Sequence, residues 1–122
     1  MPREALHLGL RICQLANIHH WSRVFEYPWA LCNGNFHPRE WVLDAAGGDG
    51  ILQLLLARHG LHVVNVDLSP CYRYAHAGVT VLKGDLEQLD HPDAMFHKVL
   101  CVSVLEHVAN PARAIRESWG RA

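Results

Sequence analysis

The chain lacks any apolar run approaching the roughly 18 residues that a membrane-spanning helix requires. Its opening segment, 1–18, carries Arg3, Glu4, His7 and Arg11 through the stretch where a secretory leader would need an uninterrupted apolar region. It also has little charge of either sign in excess: 11 Lys and Arg against 12 Asp and Glu, a net charge of −1. No global basic field is available for a nucleic acid or an anionic membrane, and nucleic acid is not indicated as a partner. The four cysteines, Cys13, Cys32, Cys71 and Cys101, contain no C-x-x-C pair, so the spacing of zinc and thiol redox sites is missing. No repeat or low-complexity segment is present. The ten histidines are scattered, with no pair forming a metal site. A soluble, cytoplasmic protein with reduced, mostly buried thiols is expected.

What is present is apolar: half of the 122 residues are hydrophobic and 19% are charged, a balance that supports one folded domain and excludes a disordered tail. Residues 6–16 repeat apolar side chains at steps of three and four, which predicts an amphipathic helix. Residues 23–31 predict a short helical or turn segment, and Asn33-Gly34-Asn35 a loop. From Glu40 the pattern changes. Residues 41–44 read as a buried strand, 51–59 as a helix closed by Gly60, and 61–66 as a second strand ending at Asp67. Ser69 and Pro70 predict a short helix through Ala77; Val79–Leu82 is a third strand and Phe96–Val104 a fourth. Asn110 followed by Pro111 predicts a helix start, with an N-cap and then proline in the first turn. Strands alternating with helices imply an α/β fold: a doubly wound parallel sheet covered on both faces. Two parts are expected: an N-terminal helical extension, 1–39, and the sheet domain, 40–122.

In such sheets ligands gather at the carboxyl ends of the strands. Three of those ends carry an acid: Asp44, Asp67 and, two residues past the third strand, Asp85. Asp44 is followed by Ala45-Ala46-Gly47-Gly48-Asp49-Gly50, and glycines let a ligand approach the backbone of a tight turn. A dinucleotide site needs G-x-G-x-x-G, and its third glycine is Gln53 here. Carboxylates beside the turn oppose a pyrophosphate and favour a cation. Asp67 is placed where a carboxylate accepts from both hydroxyls of a ribose. A nucleoside with a cationic tail fits these features. Each acid also has a plainer reading as a turn residue at a strand end.

Val42–Gly50 resembles the first motif of the class I S-adenosylmethionine-dependent methyltransferases, of the type 11-like kind. Val64–Ser69 is similar to the family's second acidic strand end, Lys83–Leu86 to its adenine-side motif and Val99–Val108 to its fourth strand. Two departures stand out: Ala46 occupies the family's first glycine, and Asp49 a position that usually holds a small residue or threonine. The resemblance implies a Rossmann-like sheet of about four strands in the order 3-2-1-4, and S-adenosylmethionine as cofactor. Asp44 and the backbone of Ala46, Gly47, Gly48 and Gly50 would hold the methionine part. Asp67 would take the ribose and Leu68 the adenine face. Asp85 would accept the adenine amino group, Leu86 would supply a backbone donor, and Ser103 and Val104 would line the floor beneath the sulfonium.

The implied activity is methyl transfer to an acceptor of unidentified class, with no catalytic residue named. Glu106-His107 and the aromatic group Trp21, Phe25, Tyr27 and Trp29 are expected to be structural. The resemblance also implies three further strands after the helix at Pro111, so the chain is expected to be a fragment. Its fourth strand would then be an exposed edge. Two rival readings are a non-catalytic cofactor-binding remnant or regulatory subunit, and a nicotinamide-dependent oxidoreductase.

Overall fold

Alternation of short β-branched runs with glycine-closed helices produces a four-stranded, all-parallel sheet in the computed structural model of the chain. The structure describes residues 11, 23–47, 51–102 and 108–121, with the backbone alone at 23–25, 76 and 121. The expected helix over 6–16 lies outside the described residues, apart from the helical residue Arg11. So do Cys13, Trp21, Gly48, Asp49, Gly50, Ser103, Val104, Glu106 and His107 among the residues singled out above.

Two compact units are formed, Met1–Phe36 and His37–Ala122. The first contains helix α1 (Arg23–Asn33), longer than the expected segment and carrying Pro28 in its interior. Its C-terminal carbonyls are satisfied locally: Gly34 N donates to Ala30 O at 2.8 Å and Asn33 Nδ2 to Trp29 O at 2.9 Å.

The second unit holds the sheet. Its strands are β1 (Trp41–Ala45), β2 (His62–Asp67), β3 (Val79–Lys83) and β4 (Lys98–Leu100), in the order β3-β2-β1-β4. Helix α2 (Ile51–Arg58) links β1 to β2 and ends in a Schellman motif. There Leu61 N donates to Leu56 O and Gly60 N to Ala57 O, with Gly60 at φ +90°. Helix α3 (Pro111–Arg121) begins as its sequence predicts, Asn110 Oδ1 accepting from Arg113 N at 3.1 Å.

Alternation along β1 and β2 divides the sheet into two faces. Leu43, Ala45, Val64 and Val66 pack with Leu86, Leu89, Phe96 and Ala114 of α3 in one apolar cluster. Val42, Asp44, Val63 and Asn65 face the other way, where Gln53 of α2 reaches Gly47. The helices therefore cover both faces.

Two expectations are corrected. The helix predicted from Ser69 to Ala77 is only a 3-10 turn, Ala75–Ala77, ended by Gly78 at φ +95°. Asp67 Oδ1 accepts from Ser69 N at 2.9 Å, and Pro70 brings no N–H, so the segment begins as a side-chain-closed turn rather than a helical ladder. The fourth strand is shorter than predicted: Phe96 is drawn into the apolar cluster, with its ring 5.4 Å from that of His91, and regular pairing begins only at Lys98. Cys101 and Val102 already lie beyond it. Among the described strands, β4 and β3 are the sheet edges.

Candidate functional site

Parallel pairing brings the three acidic strand ends to one rim. Asp44 is the penultimate residue of β1, Asp67 closes β2, and Asp85 follows β3 by two residues. Register sets Asp44 beside Asn65 and Asp67 beside Lys83. The rim residues differ in exposure. Asp44 is 4% exposed, Asp67 half-buried, Asp85 open to solvent, and Leu68 64% exposed at the lip. The Leu86 side chain is buried in the apolar cluster.

Asp67 and Asp85 use the same local device. Each Oδ1 accepts from the backbone N–H two residues on, Ser69 and Glu87, at 2.9 Å in both cases. Gly84 N also donates to Asp67 O at 3.0 Å, tying the β3 exit to the β2 end. A carboxylate offers about four lone-pair sites, more than the one that closes each turn.

The turn after β1 is anchored inward. Ala46 N donates to Val66 O at 2.7 Å and Gly47 N to Asn65 Oδ1 at 3.1 Å. Ala46 sits at φ +54°, the left-handed region where glycine is the unstrained residue. The departure from the family's glycine thus falls where the backbone most favours one. Gly47 has no room for a side chain, because a Cβ there would collide with the Asp44 carboxylate and lie 2.6 Å from Gln53 Nε2. Gln53 and Asn65 are 1% and 0% exposed. In the sequence Gln53 stands out only as a missing glycine, and Asn65 belongs to no motif. The available signal was one polar residue inside the run Val63-Val64-Asn65-Val66.

Beside β1, burial holds the Cys101 thiol above its usual range; the neighbouring Ser118 hydroxyl opposes the rise and the Asp44 carboxylate adds to it. The far end of the sheet is different in kind. There Lys98 Nζ bonds both oxygens of Glu40 at 2.7 and 2.6 Å, and Trp41 N donates to His97 Nδ1 at 2.9 Å. The rim can therefore accept hydrogen bonds from hydroxyl, amino and ammonium groups, while the opposite end is satisfied internally. No helix of the described residues is long and apolar enough to cross a membrane.

A profile of the methyltransferase domain family matches residues 43–120. The chain is 36% identical over 87 residues to the ubiquinone biosynthesis O-methyltransferase of Hahella chejuensis, covering 64% of this chain and 37% of that protein. It is 30% identical over 86 residues to 2-methyl-6-phytyl-1,4-hydroquinone methyltransferase 1, chloroplastic, of Oryza sativa subsp. japonica, covering 64% and 26%. A SAM-dependent methyltransferase structure from Thermotoga maritima matches with a TM-score of 0.62 at 25% identity, over 97% of this chain and 50% of that one. The chain thus spans between about a quarter and two-fifths of the length of these curated relatives.

Proposed function

We propose that this chain, which belongs to the methyltransferase domain family, binds S-adenosylmethionine across the C-terminal ends of β1, β2 and β3 and serves methyl transfer to a nucleophilic acceptor. The observation that carries this reading is the row of carboxylates Asp44, Asp67 and Asp85 on three adjacent strand ends, beside a glycine turn. The donor set fits the cofactor: acceptors for a ribose diol, for an adenine amino group and for a cationic tail lie in one line.

In this reading Asp67 receives the ribose hydroxyls and Leu68, exposed at the lip, lies against the adenine. Asp85 accepts the adenine amino group and the Leu86 backbone donates to the ring. Asp44 and the backbone of Ala46, Gly47, Gly48 and Gly50 form the methionine end. The amides of Ala46 and Gly47 are engaged by β2, so these two residues serve a cationic ligand through carbonyl oxygens. Ser103 and Val104 line the floor. Residues 40–122 are the cofactor-binding part and 1–39 a helical extension. A cytoplasmic setting is supported by the free thiols of Cys32, Cys71 and Cys101.

S-adenosylmethionine would supply a methyl group made electrophilic by its sulfonium, so that a nucleophile bonding to that carbon in line would break the carbon–sulfur bond, with S-adenosylhomocysteine as the leaving group. The chain's contribution is positioning: the carboxylates and the turn fix the cofactor at several points so that little orientational freedom remains to be lost. The two curated relatives differ in the acceptor their names imply, ubiquinone biosynthesis in one and a phytyl hydroquinone in the other, so neither acceptor is carried over.

Calorimetric titration of the 122-residue chain with S-adenosylmethionine, S-adenosylhomocysteine and NAD tests the proposal. Saturable binding of the first two and none of the third is expected. Binding of NAD alone, or of none of them, overturns it.

A further inference from the structure

Asparagine is a costly residue at the centre of a parallel sheet. Asn65 is 0% exposed between two valines, and a buried amide without partners carries a penalty of roughly 1–3 kcal/mol in proteins. Its place is explained by the turn above it. Two successive amides of that turn are anchored to two successive residues of β2: Ala46 N to the Val66 carbonyl at 2.7 Å, and Gly47 N to Asn65 Oδ1 at 3.1 Å. The first bond needs only backbone and any residue could provide it. The second needs a side-chain acceptor at this register position, directly beside Asp44.

The glycine fits the same arrangement. A Cβ on Gly47 would meet the Asp44 carboxylate and Gln53 Nε2, both beneath the turn. Gly47 is therefore required by the buried polar side chains packed under it, whatever occupies the turn from above. Asp44, Gln53 and Asn65, contributed by β1, α2 and β2, converge on one peptide unit, and all three are nearly excluded from water.

We propose that Asn65 is a positioning residue for the cofactor turn. It holds the Gly47 amide from inside the sheet, with Asp44 and Gln53 packed against the same glycine, and so fixes the path of the backbone that cradles the methionine end. The assignment rests on the reading of this turn as part of an S-adenosylmethionine site. Asn65 itself touches no ligand, so its removal acts on the methionine end and spares the nucleoside end.

Amide hydrogen exchange followed by NMR on the intact 122-residue chain tests the anchor without any ligand. In the parent, Gly47 exchanges far more slowly than an unprotected loop amide; exchange at the loop rate overturns the proposal before any variant is made. Asn65→Leu keeps the number of heavy atoms and the branching at Cγ and removes the acceptor. It speeds Gly47 exchange at least about 10-fold relative to Leu43 in the same sample, where Leu43 reports any global loss of stability. Asn65→Asp keeps an acceptor oxygen and holds that ratio within about 3-fold of the parent. An unchanged ratio in the leucine variant, or an equal loss in both variants, contradicts the assignment. Calorimetry then separates the two ends of the site: Asn65→Leu weakens S-adenosylhomocysteine about 10-fold and adenosine less than about 2-fold. Equal losses on both ligands make Asn65 a residue of general stability only. If the parent binds neither ligand, the cofactor reading fails, while the exchange ratio still reports whether Asn65 holds the turn.

Discussion

On one face of β1 and β2, Leu43, Ala45, Val64 and Val66 meet Leu86, Leu89, Phe96 and Ala114 in a cluster from which water is almost excluded. On the other face, Asp44 and Asn65 stand beside Val42 and Val63, and α2 places Gln53 in the same turn as Leu52 and Leu56. Both faces are buried to the same degree, yet they do different things. Each apolar methylene removed from water contributes about 0.8 kcal/mol, so stability comes from the apolar cluster of the first face together with Val42, Val63, Leu52 and Leu56 of the second. The polar groups of the second face gain little net energy once their desolvation is counted. What they provide is direction: oxygens and a glycine without free space define where the turn above them runs.

That contrast breaks most visibly on the apolar side. Leu43→Ala removes a fully buried side chain and is expected to cost about 2–5 kcal/mol in chemical denaturation. Its effect on S-adenosylmethionine and S-adenosylhomocysteine is expected to be equal, because it removes apolar packing only and no group that distinguishes the two ligands. Next in size is Gly47→Ala, which forces a methyl group into the Asp44 carboxylate and Gln53; overpacking of this kind costs about 1–3 kcal/mol. Here the loss of stability comes with weaker cofactor binding, and retention of both properties would show that the turn has more slack than the packing indicates.

Much of this was legible in the sequence. The order of strands, the buried runs of β1 and β2 and the Asn110 cap follow from periodicity, turn chemistry and the family resemblance, since each rests on residues adjacent along the chain. Asn65 was not legible, because its partner Gly47 is 18 residues away and only strand register reveals the pair. The region after β2 misled for a related reason. Ser69-Pro70 reads as a helix start, but the Asp67 side chain takes up the Ser69 amide and closes a turn instead. The late start of β4 follows from the burial of Phe96, a tertiary effect with no local sign.

Smaller effects sharpen the comparison. Ala46→Gly relieves a left-handed alanine at φ +54°, against the greater entropy of glycine in the unfolded chain. A net stabilisation below about 1 kcal/mol is expected by thermal unfolding, and a clear loss would mean that the Ala46 methyl group is needed for packing. Smallest is the ion pair at the far end of the sheet. The Lys98 ammonium and the His37 amide hold the Glu40 carboxyl below its ordinary value of 4.5. A lowered carboxylate stabilises the fold above that ordinary value and loses the contribution as pH falls through the lowered one. Glu40→Gln is therefore expected to flatten the acid limb of the stability curve below about pH 4.5 and to lower the neutral plateau slightly, by the contribution that the ionised carboxylate makes there. An unchanged acid limb would place the pH dependence elsewhere.

Asp67 is the strand-end carboxylate that most directly tests whether the rim holds the cofactor. Calorimetric titration of Asp67→Ala with S-adenosylmethionine and S-adenosylhomocysteine is expected to show both weakened by on the order of 10-fold to 100-fold, because both carry the same ribose. Asp67→Asn should recover part of the loss, since its amide oxygen still accepts one bond. The melting curve should change little, as a half-buried carboxylate at the rim adds little to the core. If Asp67→Ala binds both ligands as tightly as the parent, the residue only closes the turn to Ser69, and the rim is not the nucleoside site.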